Sequence, residues 1–151
     1  MNDHLRVLYQ DTILEHNKNP RHFGSLENVT HQAFGKNPVC GDSYVLQLQV
    51  TDGVIQDLAY SGQGCAISKS SCSIMSTVLI GKTVAQAMEL FKEFQFIVTS
   101  GTHEMLDLDV LGKLAVFVGV REFPARVKCA SLGWHTMKAA LEEKGEVSTE
   151  E

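Results

Sequence analysis

Tyr44-Val45-Leu46-Gln47-Leu48-Gln49-Val50-Thr51-Asp52-Gly53-Val54-Ile55-Gln56-Asp57-Leu58-Ala59-Tyr60 reads as two strands and a turn. Tyr44, Leu46, Leu48 and Val50 alternate with Val45, Gln47 and Gln49, the period of a strand with one face buried. Asp52-Gly53 tolerates the positive φ angles of a tight hairpin turn, so residues 54–60 are expected to return antiparallel. Strict alternation would place Gln56, Leu58 and Tyr60 on one face and Ile55, Asp57 and Ala59 on the other.

Working outward, a third strand is expected near residues 32–36. On the N-terminal side, Leu5, Leu8, Tyr9, Ile13 and His16 recur at helical spacing until Asn19-Pro20 and Phe23-Gly24-Ser25 break the pattern. On the C-terminal side, residues 65–80 read as a helix stopped by Gly81. Thr83 with Gln86 three residues later has the form of a capping box opening a second helix. A shorter helix is expected within 106–120, and a last one from Pro124, whose fixed φ suits a first turn. Strands gathered early and helices gathered late predict an α+β fold, about three antiparallel strands with helices packed on one face. The chain is expected to form one domain over 1–151, with a frayed tail at 145–151.

A formal charge of −5 with 44% apolar residues describes a globular chain without the basic face that nucleic-acid binders carry. Charged residues interrupt the first fifteen positions, so no secretory signal is read there, and no stretch is apolar enough for a membrane span. The expected compartment is the cytoplasm. In that reducing environment four cysteines are more often metal ligands or reactive thiols than disulfides.

The cysteines stand at 40, 65, 72 and 129, with no Cys-x-x-Cys pair among them. Cys40 lies in Asn37-Pro38-Val39-Cys40-Gly41-Asp42, where Pro38 and Gly41 favour a tight exposed bend and a thiolate and a carboxylate can converge on one ion. The plainer reading of Asp42 is a side chain bonded to local backbone. Cys65 follows Gly62-Gln63-Gly64 and opens a helix, whose free N–H groups favour a thiolate, or it is simply buried there. Cys129 is flanked by Arg126 and Lys128, cations that would ease the formal charge of about −2 left by three thiolates and a carboxylate around a divalent ion. Both cations also read as ordinary solvated charges. Cys72 lies seven residues from Cys65, about 10 Å along a helix, too far to share an ion, and reads as core. Neither the six histidines nor Asp107 and Asp109 form a recognisable catalytic or metal-binding pattern.

These motifs resemble a known family. Ile13-Leu14-Glu15-His16 with Asn19-Pro20-Arg21-His22-Phe23-Gly24 is similar to the amino-terminal helix and loop of the IscU/NifU-type iron–sulfur cluster assembly proteins. The Cys40 motif, Gly62-Gln63-Gly64-Cys65-Ala66-Ile67-Ser68, and Arg126-Val127-Lys128-Cys129-Ala130-Ser131-Leu132-Gly133-Trp134 resemble its three ligand motifs in order. The likeness covers about residues 5 to 143. Within the family the SufU branch is closer. Lys128 stands where IscU scaffolds carry a histidine, residues 81–101 resemble the extra SufU segment, and Phe123-Pro124-Ala125-Arg126 replaces the chaperone-recognition stretch.

The resemblance implies a metal centre of Cys40, Asp42, Cys65 and Cys129, since the ammonium of Lys128 offers no lone pair and the carboxylate must complete the set. Zinc suits such donors, and iron or a [2Fe–2S] cluster remains open. It implies a sulfur acceptor that takes persulfide sulfur from a SufS-type cysteine desulfurase, with Cys40 beside Gly41 as the acceptor, working with other iron–sulfur assembly components. The alternatives are a scaffold for a transient [2Fe–2S] cluster and a purely structural zinc domain.

Overall fold

The computed structural model describes residues 3–99, 114, 116, 117, 119, 120 and 123–149, with side chains from Gln10 onward. The hairpin forms as the pattern requires: β1 (His31–Asn37), β2 (Asp42–Thr51) and β3 (Val54–Gln63) are consecutive antiparallel strands. Asp52 and Gly53 turn between β2 and β3 at φ 54° and 75°, the paired positive angles that match strand twist.

Tyr44, Leu46 and Leu48 face inward, all essentially inaccessible, while Val45, Gln47 and Gln49 face out. On β3 the alternation changes phase. Val50 pairs with Ile55 and Gln49 with Asp57, so Gln56 is the extra residue of a β-bulge. Ile55 therefore turns into the core and Gln56 out to solvent, correcting the expected common face of Gln56, Leu58 and Tyr60.

The sheet has four strands, in the order β3-β2-β1-β4. The fourth, β4 (Glu146–Ser148), pairs parallel with β1 at Phe34, Gly35 and Lys36, where the sequence pointed to three strands and a frayed end. The outer edge of β1 offers free backbone groups, and a short segment after a helix can satisfy them without any alternation of its own.

The helices are α1 (Asp3–Lys18), α2 (Ala66–Leu79), α3 (Val84–Thr99) and α4 (Pro124–Leu141). α4 lies on β1 and β2, α2 packs on α4, and α1 and α3 flank this pair. The opposite sheet face carries exposed Gln32, Phe34 and Lys36. Gly35 allows the close approach of α4, since a Cβ there would run into Thr136. The capping box of α3 is reciprocal: Thr83 N donates to Gln86 Oε1 at 2.9 Å and Gln86 N to Thr83 Oγ1 at 3.1 Å. α3 buries Phe91, Phe94, Ile97 and Val98, and Phe94 stacks on Trp134 of α4 at 4.7 Å between centroids. The helix expected within 106–120 falls mostly outside the described residues, as do Asp107 and Asp109, but Leu114, Val116, Phe117 and Val120 are described and buried. No helix among the described residues is long and apolar enough to cross a membrane.

Candidate metal centre

The inward face that carries Tyr44, Leu46 and Leu48 ends on a polar pair. Asn37 closes β1 and Asp42 opens β2, the two in register and both buried. Between them Pro38-Val39-Cys40-Gly41 makes a tight turn in which Gly41 N donates to Asn37 O at 2.9 Å and Gly41 takes φ 76°. That turn exposes Cys40 and leaves Val39 58% exposed beside it. Position 41 needs glycine because a Cβ disfavours this left-handed angle.

Cys129 reaches the same spot from the second turn of α4, where it is buried. Its S–H donates to Cys40 Sγ at 3.0 Å. The sulfurs of Cys40 and Cys129 and a carboxylate oxygen of Asp42 all lie within 4.8 Å of one another. Burial pushes the Cys129 thiol far above the ordinary thiol range, and the Cys40 sulfur, the Cys65 sulfur and the Asp42 carboxylate push it further. So many acidic groups gathered in one place repel their own ionisation, the arrangement a soft divalent cation relieves.

Cys65 sits beside this trio but outside it. It is the N-cap of α2, its sulfur accepting from Ser68 N at 3.5 Å, and its own N–H donates to Asp42 Oδ1 at 2.9 Å. Asp42 is thus not bonded only to its own turn, for it reaches 23 residues along the chain. Gly64 makes room for this, since a Cβ there would collide with Ser68 Oγ, Tyr44 OH and Asp42 Oδ1, all on buried residues. The structure therefore joins Cys40, Asp42 and Cys129 directly and places Cys65 next to them at a helix start. Two thiols and a carboxylate with a third thiol adjacent are the donor types zinc takes in four-coordinate sites, so the residues fit that ion.

The two cations have different positions. Arg126 is exposed and lays its guanidinium 4.4 Å from the centroid of Phe123. Lys128 is half-buried and lines a groove together with Gln95, Ser131, His135 and Thr149. Cys72 is fully buried with its thiol pushed up to about 12 by burial and then by Asp42, and it packs against Gly133 of α4.

The residue that the sequence reading passed over is Asn37. Its amide donates to Asp42 Oδ2 at 3.3 Å and to Cys129 Sγ at 3.5 Å, and its carbonyl oxygen accepts from Thr149 Oγ1 at 2.9 Å. The available signal was a lone amide within the Cys40 motif, which reads more readily as a turn residue before proline. His16 and His22, both in the amino-terminal motifs, are used structurally. They bond Ser73 and Ser76 of α2 at 2.7 and 2.8 Å and dock the amino-terminal segment.

Relatives of this chain carry the same architecture. It is 34% identical over 145 residues to the zinc-dependent sulfurtransferase SufU of Bacillus subtilis, covering 95% of this chain and 97% of that protein. It is 35% identical over 137 residues to the iron–sulfur cluster assembly scaffold protein IscU of Streptococcus pyogenes, covering 91% and 84%. The crystal structure of FiSufU from Fervidobacterium islandicum superposes with a TM-score of 0.81 at 34% identity, over 93% of this chain and 99% of that one. Residues 8–143 match the NifU-like N-terminal domain, and the chain belongs to that family of iron–sulfur cluster assembly proteins.

Proposed function

We propose that this chain is a cytoplasmic, single-domain sulfur acceptor that binds one zinc ion and takes persulfide sulfur from a cysteine desulfurase onto Cys40. The observation that carries this reading is the unequal exposure within one cluster: Cys40 is exposed on a turn, while Asp42 and Cys129, within 4.8 Å, are buried. Cys65, exposed at the start of α2, supplies the fourth donor. Zinc at such a site would hold thiolates deprotonated at neutral pH without redox chemistry of its own.

The residues divide the work. Cys129 and Asp42 anchor the site from buried positions, with Asn37 fixing both. Cys40 presents its sulfur to solvent, and the Cys40 thiolate attacks the terminal sulfur of the desulfurase persulfide. The Cys40 S–S bond forms as the desulfurase S–S bond breaks, and the electron pair leaves on the desulfurase cysteine as its thiolate. No net oxidation occurs. The relative named a zinc-dependent sulfurtransferase supports this reading over most of both chains.

The test incubates the protein with a cysteine desulfurase and cysteine, quenches with an alkylating reagent and locates the added sulfur by peptide mass. Sulfur on Cys40 is expected. No persulfide on any cysteine, with desulfurase activity unchanged by the protein, would sink the proposal. A second reading, a scaffold for a transient [2Fe–2S] cluster, is favoured by the IscU scaffold relative at 35% identity. Visible absorption after anaerobic addition of iron and sulfide separates the two, because a zinc protein stays colourless.

A further inference from the structure

Both ends of the Asn37 amide are engaged. Its nitrogen donates to Asp42 Oδ2 and to Cys129 Sγ, and its carbonyl oxygen accepts from the Thr149 hydroxyl at 2.9 Å. Thr149 reaches this buried amide because of the way β4 pairs with β1. Phe34, Gly35 and Lys36 lie opposite Glu146, Val147 and Ser148, and the ladder is extended at its two ends by Phe34 N donating to Gly145 O at 2.9 Å and Thr149 N donating to Lys36 O at 3.1 Å. One further step sets Thr149 opposite Asn37. Side chains alternate along a strand, so Val147 and Thr149 turn to the same face as Gly35 and Asn37. Glu146 turns the other way and pairs with Lys36 at 3.7 Å. Val147 packs against the core and so pins this register, since a slip of one residue would send Thr149 to the outer face.

The two ends of a primary amide have nearly the same shape but opposite hydrogen-bonding character, so the surrounding groups decide which way it faces. An ionised Asp42 only accepts hydrogen bonds, and so does a metal-bound thiolate, so the site requires the nitrogen end of Asn37 towards both. The Thr149 hydroxyl supplies the donor that holds the oxygen end in the opposite direction. Removing that donor deprives a buried carbonyl oxygen of its partner, and a reversed amide would set the oxygen against a carboxylate and a sulfur.

We propose that Thr149 is a positioning residue for the metal centre, locking the Asn37 amide with its N–H₂ group towards Asp42 and Cys129. The inference rests on the metal site of the proposed function and not on its sulfur transfer. It gives β4 a role beyond covering the edge of β1. α4 carries Cys129 to the centre, and the chain leaving α4 returns along β1 to secure the amide that bonds that same cysteine. Because the Thr149 hydroxyl bonds Asn37, its effect on the ligands passes through the amide.

The experiment measures zinc affinity of the whole chain by competition with a chromogenic chelator, for Thr149→Val, Thr149→Ser, Asn37→Ala and the double variant Asn37→Ala/Thr149→Val. Thr149→Val keeps the branched shape and removes the hydroxyl, whereas Thr149→Ser keeps the hydroxyl. Thr149→Val should weaken zinc binding about tenfold, the lower end for an outer partner of metal ligands, while Thr149→Ser stays within about twofold of the parent protein. The double variant should bind no more weakly than Asn37→Ala alone, because the hydroxyl then has no amide to position. Cobalt in place of zinc gives a second readout, since the thiolate-to-cobalt absorption should shift in Thr149→Val and not in Thr149→Ser. Parent-like affinity in Thr149→Val, equal losses in Thr149→Val and Thr149→Ser, or losses that add in the double variant would each overturn the assignment. If Asn37→Ala fails to fold, the comparison of Thr149→Val with Thr149→Ser decides it. A parent protein that takes up no metal would overturn the metal site and this inference with it, a result distinct from a parent that binds zinc and is indifferent to position 149.

Discussion

The side-chain amide of Asn37 donates to the sulfur of Cys129 at 3.5 Å, joining the end of β1 to the second turn of α4 across 92 positions of sequence. The same nitrogen donates to Asp42 Oδ2. One amide thus fixes a thiol and a carboxylate of the cluster, as outer partners of metal ligands commonly do. Asn37→Ala is expected to lower zinc affinity about 10- to 100-fold, measured by competition with a chromogenic chelator. Affinity equal to that of the parent protein would remove Asn37 from the site.

Gly64→Ala tests the packing of the same carboxylate from the other side. The new methyl group would press on Asp42, Ser68 and Tyr44, all buried. Zinc content should fall below half an equivalent, against about one per chain in the parent protein, by elemental analysis of protein never exposed to chelator.

Much of this arrangement was legible in the sequence, for local reasons. The alternation of Tyr44, Leu46 and Leu48, the Asp52-Gly53 turn and the Thr83/Gln86 box each encode their structure within a few residues. The phase change at Gln56 was not legible, because a bulge is a property of the pairing between β2 and β3 and neither strand alone records it. β4 was hidden for a similar reason, as Glu146-Val147-Ser148 becomes a strand only because the edge of β1 is open. The Cys40 and Cys129 motifs stood out individually, but the amide that ties them together shows no signature beyond preceding a proline.

Cys72 gives a separate test of the core. A Cβ on Gly133 would lie 2.6 Å from Cys72 Sγ, so Gly133→Ala should destabilise the protein by about 1–3 kcal/mol through overpacking. Adding Cys72→Ala should restore part of that loss, a non-additive pair in denaturant unfolding. Metal content should stay near one equivalent in Cys72→Ala, whereas Cys129→Ser should lower it.

Cys72 also sets a pH dependence. Its thiol is pushed up to about 12 in the folded chain, above the ordinary value near 9 of an unfolded one. The folded state therefore holds this proton more tightly, so its contribution is fully present below about pH 9 and is lost as pH rises towards 12. Urea midpoints of the metal-loaded protein should decline between pH 8.5 and 10.5, and the decline should be shallower in Cys72→Ala. An identical slope in the two proteins would show that Cys72 does not carry it.

Cys40 and Asp42 differ in how they should fail. Cys40 lies exposed on the turn before β2, and its sulfur meets Cys129 at 3.0 Å, so both access and a close anchor are present. Thiol exchange needs a thiolate and an open approach, and serine supplies neither the anion nor the leaving chemistry at neutral pH. Cys40→Ser should therefore abolish stimulation of a cysteine desulfurase even in preparations where docking is still detected. Asp42→Ala should impair stimulation as well, but through the zinc site, so its activity should track its metal content across preparations. Supplying excess zinc should restore activity in part to Asp42→Ala and not at all to Cys40→Ser. If zinc restored both variants equally, Cys40 would be an anchor like Cys129, and the acceptor would have to be sought at Cys65, the other exposed thiol beside the cluster.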